Sequence, residues 1–573
     1  VFLHLLRKLD RVFSTRGALF GIKYTKAVRS QVLNYLSGNE VRVPGVRCTT
    51  DGIPCVLGDL VPLVRAGKFA NAEEVNSSVL PFLLSLLMST RTLKAGRKLD
   101  VTPISQPAMV PSGLGRYAKS FWKDLGYWPS RKVPRQLRWK LFHFTTKAGP
   151  NGHALWTCLS DLVQICEYQD LFHDLVKVGG DKFFQNVCDL LEGLELKILQ
   201  PLTPTKGNWI RKLIYFPDRE DKVRVVAILD YFSQSVLKCL HTYLFQVLRK
   251  IPQDMTFNQG GFQEVLATCE EIYSVDLTSA TDRFPIQVIS EVLKAKLPAS
   301  YVSAWENIMV GYPFALHHGK SIEQISYAVG NPMGAYSSWA SFTLAHHYVV
   351  YYCCKELNKE WATLPYALLG DDIVIGDKDV AELYTTVVTQ HLNVEVSSAK
   401  THKSKYFYEF AKRYFYKGIE ISHFPISSLK ESSKRYYALV NTLLEAKQKG
   451  WVPTRGIPRA IADYANIVRA MPSKFRAKLE MKSAICEQVL LCTRGIQQAN
   501  DSVNTVIRLL NYPIRLLTLD ESLGILSNIA VELFADSNPE GKESNKSLGH
   551  LAIEFVTYFS SLGGESASSH GCR

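Results

Sequence analysis

No segment of this 573-residue chain reaches the roughly 18 consecutive apolar residues that a membrane-spanning helix requires, and the greasiest run, Val79 to Met88, falls well short. Paired Cys-x-x-Cys clusters are missing among the 12 cysteines, and Cys353 and Cys354 are neighbours inside an apolar segment, so neither a zinc ribbon nor a secreted disulfide framework is indicated. Internal repeats are absent. Low-complexity material is confined to the end, where residues 538 to 545 read as a polar loop and residues 563 to 573 as a frayed tail. Acidic residues are scarce at the start: in residues 1 to 50 only Asp10 and Glu40 stand against nine Lys and Arg.

What is present indicates a large folded chain with a polyanionic partner. Hydrophobic residues make up 46% and charged residues 21%, so most of the chain should fold, and its length favours a multi-lobed enzyme over a small adaptor. The formal charge of +14 favours nucleic acid over an acidic small substrate, and half of that excess lies in residues 1 to 50. The competing reading is a basic protein from a compartment where such charge is ordinary. The first residue is Val1, which leaves open a missing initiator or leader, and the basic, hydroxyl-containing opening suits organelle import and phosphate contact equally. No integral membrane segment is expected and no obligate protein partner is inferred.

Residues 1 to about 200 look mainly helical, broken by Gly and Pro; Tyr273 to Ile426 alternates strand-like and helix-like segments; Ser432 to Lys449 and Phe475 to Leu491 are amphipathic helical patterns of a separate lobe. Pro365 to Gly376 sets apolar residues on both sides of Gly370-Asp371-Asp372, the pattern of a hairpin with buried arms and two carboxylates at its tip. Ile272 to Asp276 reads as a second strand ending on an aspartate, followed by a turn and helix in which Asp282 lies about one turn along, facing an incoming nucleotide. Two-metal phosphoryl transfer needs carboxylates from separate segments at about 4 Å from shared ions. Asp276 and Asp371 meet that need if the strands pair, with Asp372 a further candidate ligand; singly, each aspartate reads equally well as a turn cap.

Between the two acidic segments, Gly330 and Gly334 permit close backbone approach. Ser337 and Ser338 are expected to open the next helix with hydroxyls and amides turned outward, a surface for a sugar, a base pair or a template phosphate. Lys222 and Arg224 should leave one face of a strand and suit a triphosphate, although Asp218 nearby also offers an ion pair. Lys400, in a polar basic run that follows the strand-like Leu392 to Val396, is the first choice for protonating or neutralising pyrophosphate. Glu409 to Tyr414 alternates, which reads as a β-element holding the primer backbone through Lys412 and Arg413. His402 is expected to solvate the surface.

At these residues the sequence resembles the viral RNA-dependent RNA polymerases, most closely those of mitoviruses, RNA replicons of fungal and plant mitochondria. The resemblance is carried by Asp276 to Pro285, Gly330 to Trp339, Leu369 to Asp372, Lys400 to His402, Glu409 to Arg413, Lys222 to Arg224 with Asp230 to His241, and Lys147 to Gly152, in order over about residues 150 to 425. It implies an α/β (α+β) right hand with an antiparallel-sheet palm, fingers and a helical thumb. The implied division is residues 1–200 as N-terminal extension and fingers, 201–430 as fingers and catalytic palm, 431–560 as thumb, and 561–573 as a flexible tail. It further implies an RNA template and nascent RNA, with Lys147 among the RNA contacts, ribonucleoside triphosphates, two Mg²⁺ ions (Mn²⁺ as a substitute) on Asp276, Asp371 and Asp372, and replication in a host mitochondrion. The wider class often carries a Thr and, four positions on, an Asn for ribose sensing. The nearest positions here are Ser338 and Phe342, so ribose discrimination stays unassigned. The expected reaction is attack of a primer 3′-hydroxyl on the α-phosphate with loss of pyrophosphate, Asp282 orienting the ribose. A reverse transcriptase and a non-catalytic RNA-binding or packaging protein are the rival readings.

Overall fold

The computed structural model describes residues 2–69, 79–94, 98–109, 113–193, 209–220, 222–319, 321–397, 401–432, 435–469, 472–512 and 516–535. Lys400, the polar loop at 538 to 545 and the tail from 561 lie outside the described residues. The chain divides into two units, residues 1–80 with 93–419, and residues 81–92 with 420–573.

In the first unit, the largely apolar runs Ile272–Asp276, Asp372–Ile375 and Tyr366–Leu369 and the polar strand His402–Ser404 build a four-stranded sheet. Its order is His402–Ser404, Ile272–Asp276, Asp372–Ile375, Tyr366–Leu369, antiparallel throughout. Tyr273 and Val275 turn into the large core, as do Ile373, Ile375, Tyr366 and Leu368. Ile272, Val374 and Ala367 turn the other way, onto a smaller cluster with Phe262, Phe410 and Phe415. Both faces of Ile272–Asp276, Asp372–Ile375 and Tyr366–Leu369 are therefore covered, which is why these three strands read as largely apolar runs rather than as alternation. The helix Ser338–Glu356 crosses the large core with Leu344, Ala345, His346, His347 and Tyr348 all buried.

A second sheet runs Val223–Leu229, Arg211–Pro217, Phe314–His318, Ser321–Ile325, with a parallel pairing between Arg211–Pro217 and Phe314–His318. The helix Tyr231–Leu248 follows its Val223–Leu229 strand and is capped by Asp230, whose carboxylate accepts from the Ser233 amide at 2.7 Å. Two readings need correction. Residues 392–396 form no strand: Leu392 and Val394 are buried for packing, and pairing is limited to an isolated bridge between Leu277 and Val396. Residues 409–414 are not one strand but a hairpin that turns at Ala411 and Lys412, between Phe407–Phe410 and Arg413–Tyr416.

The second unit is helical where described, with Tyr436–Gln448, Ile457–Arg469, Ser473–Thr493, Ala499–Leu509 and Leu519–Ala535 around Val440, Leu444, Ile461, Cys486, Val489, Val503 and Leu526. Within it the Phe424 amide donates to Ser85 Oγ at 2.8 Å and Trp451 Nε1 to the Ser422 carbonyl at 2.9 Å. Among the described residues no helix is long and apolar enough to cross a membrane.

Candidate active site

Strand pairing brings the acidic segments together. Asp276 stands directly across from Asp372 in the antiparallel ladder, and Asp372 also pairs with Leu369. Directly opposed residues share a face with Cβ atoms about 5 Å apart. Period-two parity puts Asp276 and Asp372 on the side of Ile272 and Val374, toward the Phe407–Phe410 and Arg413–Tyr416 hairpin. The hairpin tip holds one carboxylate rather than two, because the loop is Gly370-Asp371 and Asp372 already belongs to the strand. Gly370 has φ +63° while Asp371 keeps a negative φ, and a two-residue turn of that kind takes Gly first. A Cβ at Gly370 would also lie 2.8 Å from Trp339 Nε1. Asp371 is exposed and Asp372 partly buried.

Two carboxylates facing each other in a half-dry site repel unless a cation joins them, and Lys412 supplies one. Its Nζ lies 3.5 Å from Asp372 Oδ1 and 3.9 Å from Glu409 Oε1. Lys412 and Ala411 both have left-handed backbones, φ +62° and +52°, a conformation that costs a non-glycine residue about 1 kcal/mol or more. The tight turn thus presents Lys412 to the aspartates instead of in a strand aimed at a primer. Burial works to lower the Lys412 pKa, but Glu409, Asp372, Asp276 and Asp371 outweigh it and raise it. Asp372 is raised by burial, opposed by Lys412, with Asp371 and Asp276 adding to the rise. Arg413, the other cation of this turn, lies over the Phe262 and Phe415 rings at 5.2 and 5.3 Å. His402 is buried beside Phe407 rather than solvating the surface.

Asp282 sits in the single turn Ala280–Arg283. Burial pushes its carboxyl up to about 6, with Arg283 pulling the other way. Unfolded, the same group titrates near 4. A raised carboxyl costs stability once it ionises, so the penalty is absent below about pH 4, grows as pH rises to about 6, and is fully present above. Asp282→Asn is therefore expected to stabilise the chain by about 1–3 kcal/mol at pH 7. It should also flatten the dependence of the denaturant midpoint on pH between about 4 and 6; an unchanged slope would mean that Asp282 is solvated.

The glycine loop lies behind this turn. The Asn331 backbone N–H donates to the Thr281 carbonyl at 3.0 Å, and a Cβ at Gly330 would fall 2.3 Å from the Asp282 carbonyl carbon and oxygen. Gly334, φ +118°, presses on the strand Val223–Leu229, where a Cβ would meet the Ala227 carbonyl oxygen at 2.3 Å, and the Ala227 amide bonds the Met333 carbonyl at 2.7 Å. Ser337 and Ser338 differ from expectation: both are buried, with the Ser337 hydroxyl accepting from Trp305 Nε1 at 2.9 Å and the Ser338 hydroxyl donating to Asn331 Oδ1. Their hydroxyls turn inward because the helix start packs on the core and the loop. Asn331, which sequence reasoning passed over, joins the Ser338 helix to the Asp282 turn; its place between Gly330 and Pro332 was the available signal.

Lys222 precedes the strand Val223–Leu229, while Arg224 lies within it, with Nε and Nη2 at 3.1 and 2.8 Å from Asp218 Oδ2. Lys147 is exposed, 5.6 Å from the Tyr336 ring, and lines a cavity of about 830 Å³ with His153, Trp209, Lys212 and His317. None of the three carboxylates lines that cavity. Its loop is clamped by Asn151, which donates to Asp161 Oδ1 at 3.1 Å and the Trp209 carbonyl at 3.0 Å.

The fold and site define a mixed α/β class of protein in which an antiparallel sheet presents Asp276, Asp371 and Asp372 beside a basic turn, although among the described residues no three His, Cys, Asp or Glu side chains converge tightly enough to hold an ion. Residues 135–554 match the mitovirus RNA-dependent RNA polymerase family, and the chain belongs to it. The RNA-directed RNA polymerase of Cryphonectria parasitica mitovirus 1 is 29% identical over 439 residues, 72% of this chain and 52% of the relative, so the chain spans about half of that relative's length. An uncharacterized mitochondrial protein of Arabidopsis thaliana is 36% identical over 35% of this chain and 83% of its own length. Among solved structures, the RNA-dependent RNA polymerase of a human picorbirnavirus aligns over 71% of this chain and 75% of that one, at 12% identity and a TM-score of 0.39.

Proposed function

We propose that this chain is an RNA-directed RNA polymerase that copies viral RNA in a host mitochondrion, joining ribonucleoside triphosphates with release of pyrophosphate. The single observation that carries the reading is the register in which Asp276 opposes Asp372, one residue from Asp371 at the turn. The right-hand arrangement belongs to this proposal, with residues 1–200 as N-terminal extension and fingers, 201–430 as fingers and catalytic palm, and 431–560 as thumb.

By donor chemistry rather than by present spacing, the set suits a hard divalent cation: the ligands are carboxylate oxygens, and the Lys412 ammonium already stands as a cation 3.5 Å from Asp372. Mg²⁺, or Mn²⁺ in its place, would supply charge stabilisation and activation of the attacking hydroxyl when held by Asp276, Asp371 and Asp372. Asp282 would orient the ribose, with Gly334, Ser337 and Ser338 shaping the loop behind it. Lys222 and Arg224 would neutralise the triphosphate. Arg224 is 49% exposed in its pair with Asp218, and an exposed pair is worth about 0–1 kcal/mol, so a triphosphate can displace it cheaply. Lys147 would contribute positive charge along the RNA path, while Lys412 stays with the carboxylates it faces.

Lys400 is assigned the proton transfer to pyrophosphate. Lys400→Ala is expected to slow incorporation about 10²-fold, and an unchanged rate and pH profile would remove it from that role. The test of the whole reading is incorporation of labelled rNTPs on a defined RNA template with Mg²⁺ or Mn²⁺. Extension with dNTPs but not rNTPs would make the chain a reverse transcriptase, and tight RNA binding with no metal-dependent incorporation would make it a packaging protein.

A further inference from the structure

On the helix Ser338–Glu356, Trp339, Phe342 and His346 recur at spacings of three and four and form one stripe. That stripe meets both acidic segments. Phe284, two residues after Asp282, packs edge-on against Phe342 at 5.2 Å and lies 6.4 Å from the His346 ring. Trp339 closes over Gly370. His346 itself has no exposed surface, yet both ring nitrogens are engaged, Nδ1 at 2.8 Å from the Gly370 carbonyl oxygen and Nε2 at 2.7 Å from the Tyr384 hydroxyl.

The chemistry of the partners settles the tautomer. A carbonyl oxygen can only accept, so Nδ1 carries the hydrogen. Burial holds the ring neutral by pushing its pKa down to about 4, which leaves Nε2 to accept from the phenol of Tyr384. The Tyr384 ring stacks on the imidazole at 5.8 Å and 22° and fixes its plane. The carbonyl held in this way belongs to the peptide whose nitrogen is that of Asp371. Pinning that peptide removes the softest rotation in a two-residue turn.

We propose that His346 is the positioning residue of the acidic turn: its Nδ1–H bond to the Gly370 carbonyl sets the plane of the Gly370–Asp371 peptide, and with it the direction in which the Asp371 carboxylate leaves the turn. The proposal rests on the reading of Asp371 as a cation-holding group.

Two amide replacements separate the ring nitrogens. The Asn amide nitrogen falls near imidazole Nδ1 and the Gln amide nitrogen near Nε2, so His346→Asn keeps the donor to Gly370 while His346→Gln keeps only the contact to Tyr384. Tyr384→Phe removes the outer bond alone. Mn²⁺ affinity of the full chain without RNA or nucleotide is read by electron paramagnetic resonance, beside thermal midpoints and kcat and KM for rNTPs. His346→Gln is expected to lose about 10–100-fold in Mn²⁺ affinity and in kcat, with KM little changed, while His346→Asn and Tyr384→Phe stay within about threefold of the parent. Equal Mn²⁺ affinities for His346→Asn and His346→Gln, or no Mn²⁺ binding by the parent chain, would overturn the proposal. Mn²⁺ binding by a parent that incorporates no nucleotide would overturn the polymerase reading, and the contrast between the two amide variants would still decide the role of His346.

Discussion

Asp371→Asn is expected to abolish template-directed incorporation, a loss of about 10³-fold or more, while leaving RNA binding and its salt dependence intact. The substitution keeps the shape of the side chain and removes its charge. Asp371 is exposed at a two-residue turn, so little packing depends on it and the fold should tolerate the change. What is lost is one of the carboxylates whose combined charge raises the Lys412 pKa and would hold the divalent cations. RNA affinity, by contrast, is supplied by many cations neutralising phosphates, and a neutral residue at the turn removes none of them. Labelled rNTP incorporation and filter binding on the same RNA read the two quantities separately. Undiminished extension would refute the metal-holding role of Asp371.

Gly330→Ala carries the second largest expected effect, on stability and rate together. The new Cβ would lie 2.3 Å from the carbonyl carbon and oxygen of Asp282 and 2.4 Å from the Thr281 carbonyl oxygen. These atoms are backbone, so no rotamer change can relieve the clash. The neighbouring contacts hold the loop in place: Asn331 N to Thr281 O at 3.0 Å and Ile286 N to Val329 O at 2.9 Å. Either those bonds break or the Ala280–Arg283 turn moves. A destabilisation of about 2–3 kcal/mol is expected by chemical denaturation. Displacing Asp282 by about 1 Å should cost about 10²-fold in incorporation. A variant with the parent's denaturation midpoint would show that the loop and the Asp282 turn are not in register as described.

The acidic strands were legible because each combines a short apolar run with an aspartate at its end. Two such runs have few ways to bury themselves other than side by side. Asp282 was legible for a similar reason, its distance from Asp276 being fixed by one turn and one helical turn. The serines misled. Ser337 and Ser338 have the composition of a helix start open to solvent, but the helix they begin is buried along most of its length, so their hydroxyls find Trp305 and Asn331 instead. Lys412 misled in a different way. Ala411 and Lys412 are poor residues for a left-handed turn, so alternation suggested a continuous strand where the chain reverses direction.

Local pattern alone determined that the chain carries a β-hairpin with an aspartate turn, a second strand ending in Asp276, and a helical segment near its end, since each follows from apolar periodicity within a dozen residues. Tertiary structure alone decided that Asp276 faces Asp372, that Lys412 comes to rest beside them, and that His346 holds the Gly370 carbonyl. Those partners are separated by 24 to 136 residues along the chain. Which of many candidates meet is set by the packing of whole sheets and helices, an energy that no window of sequence contains.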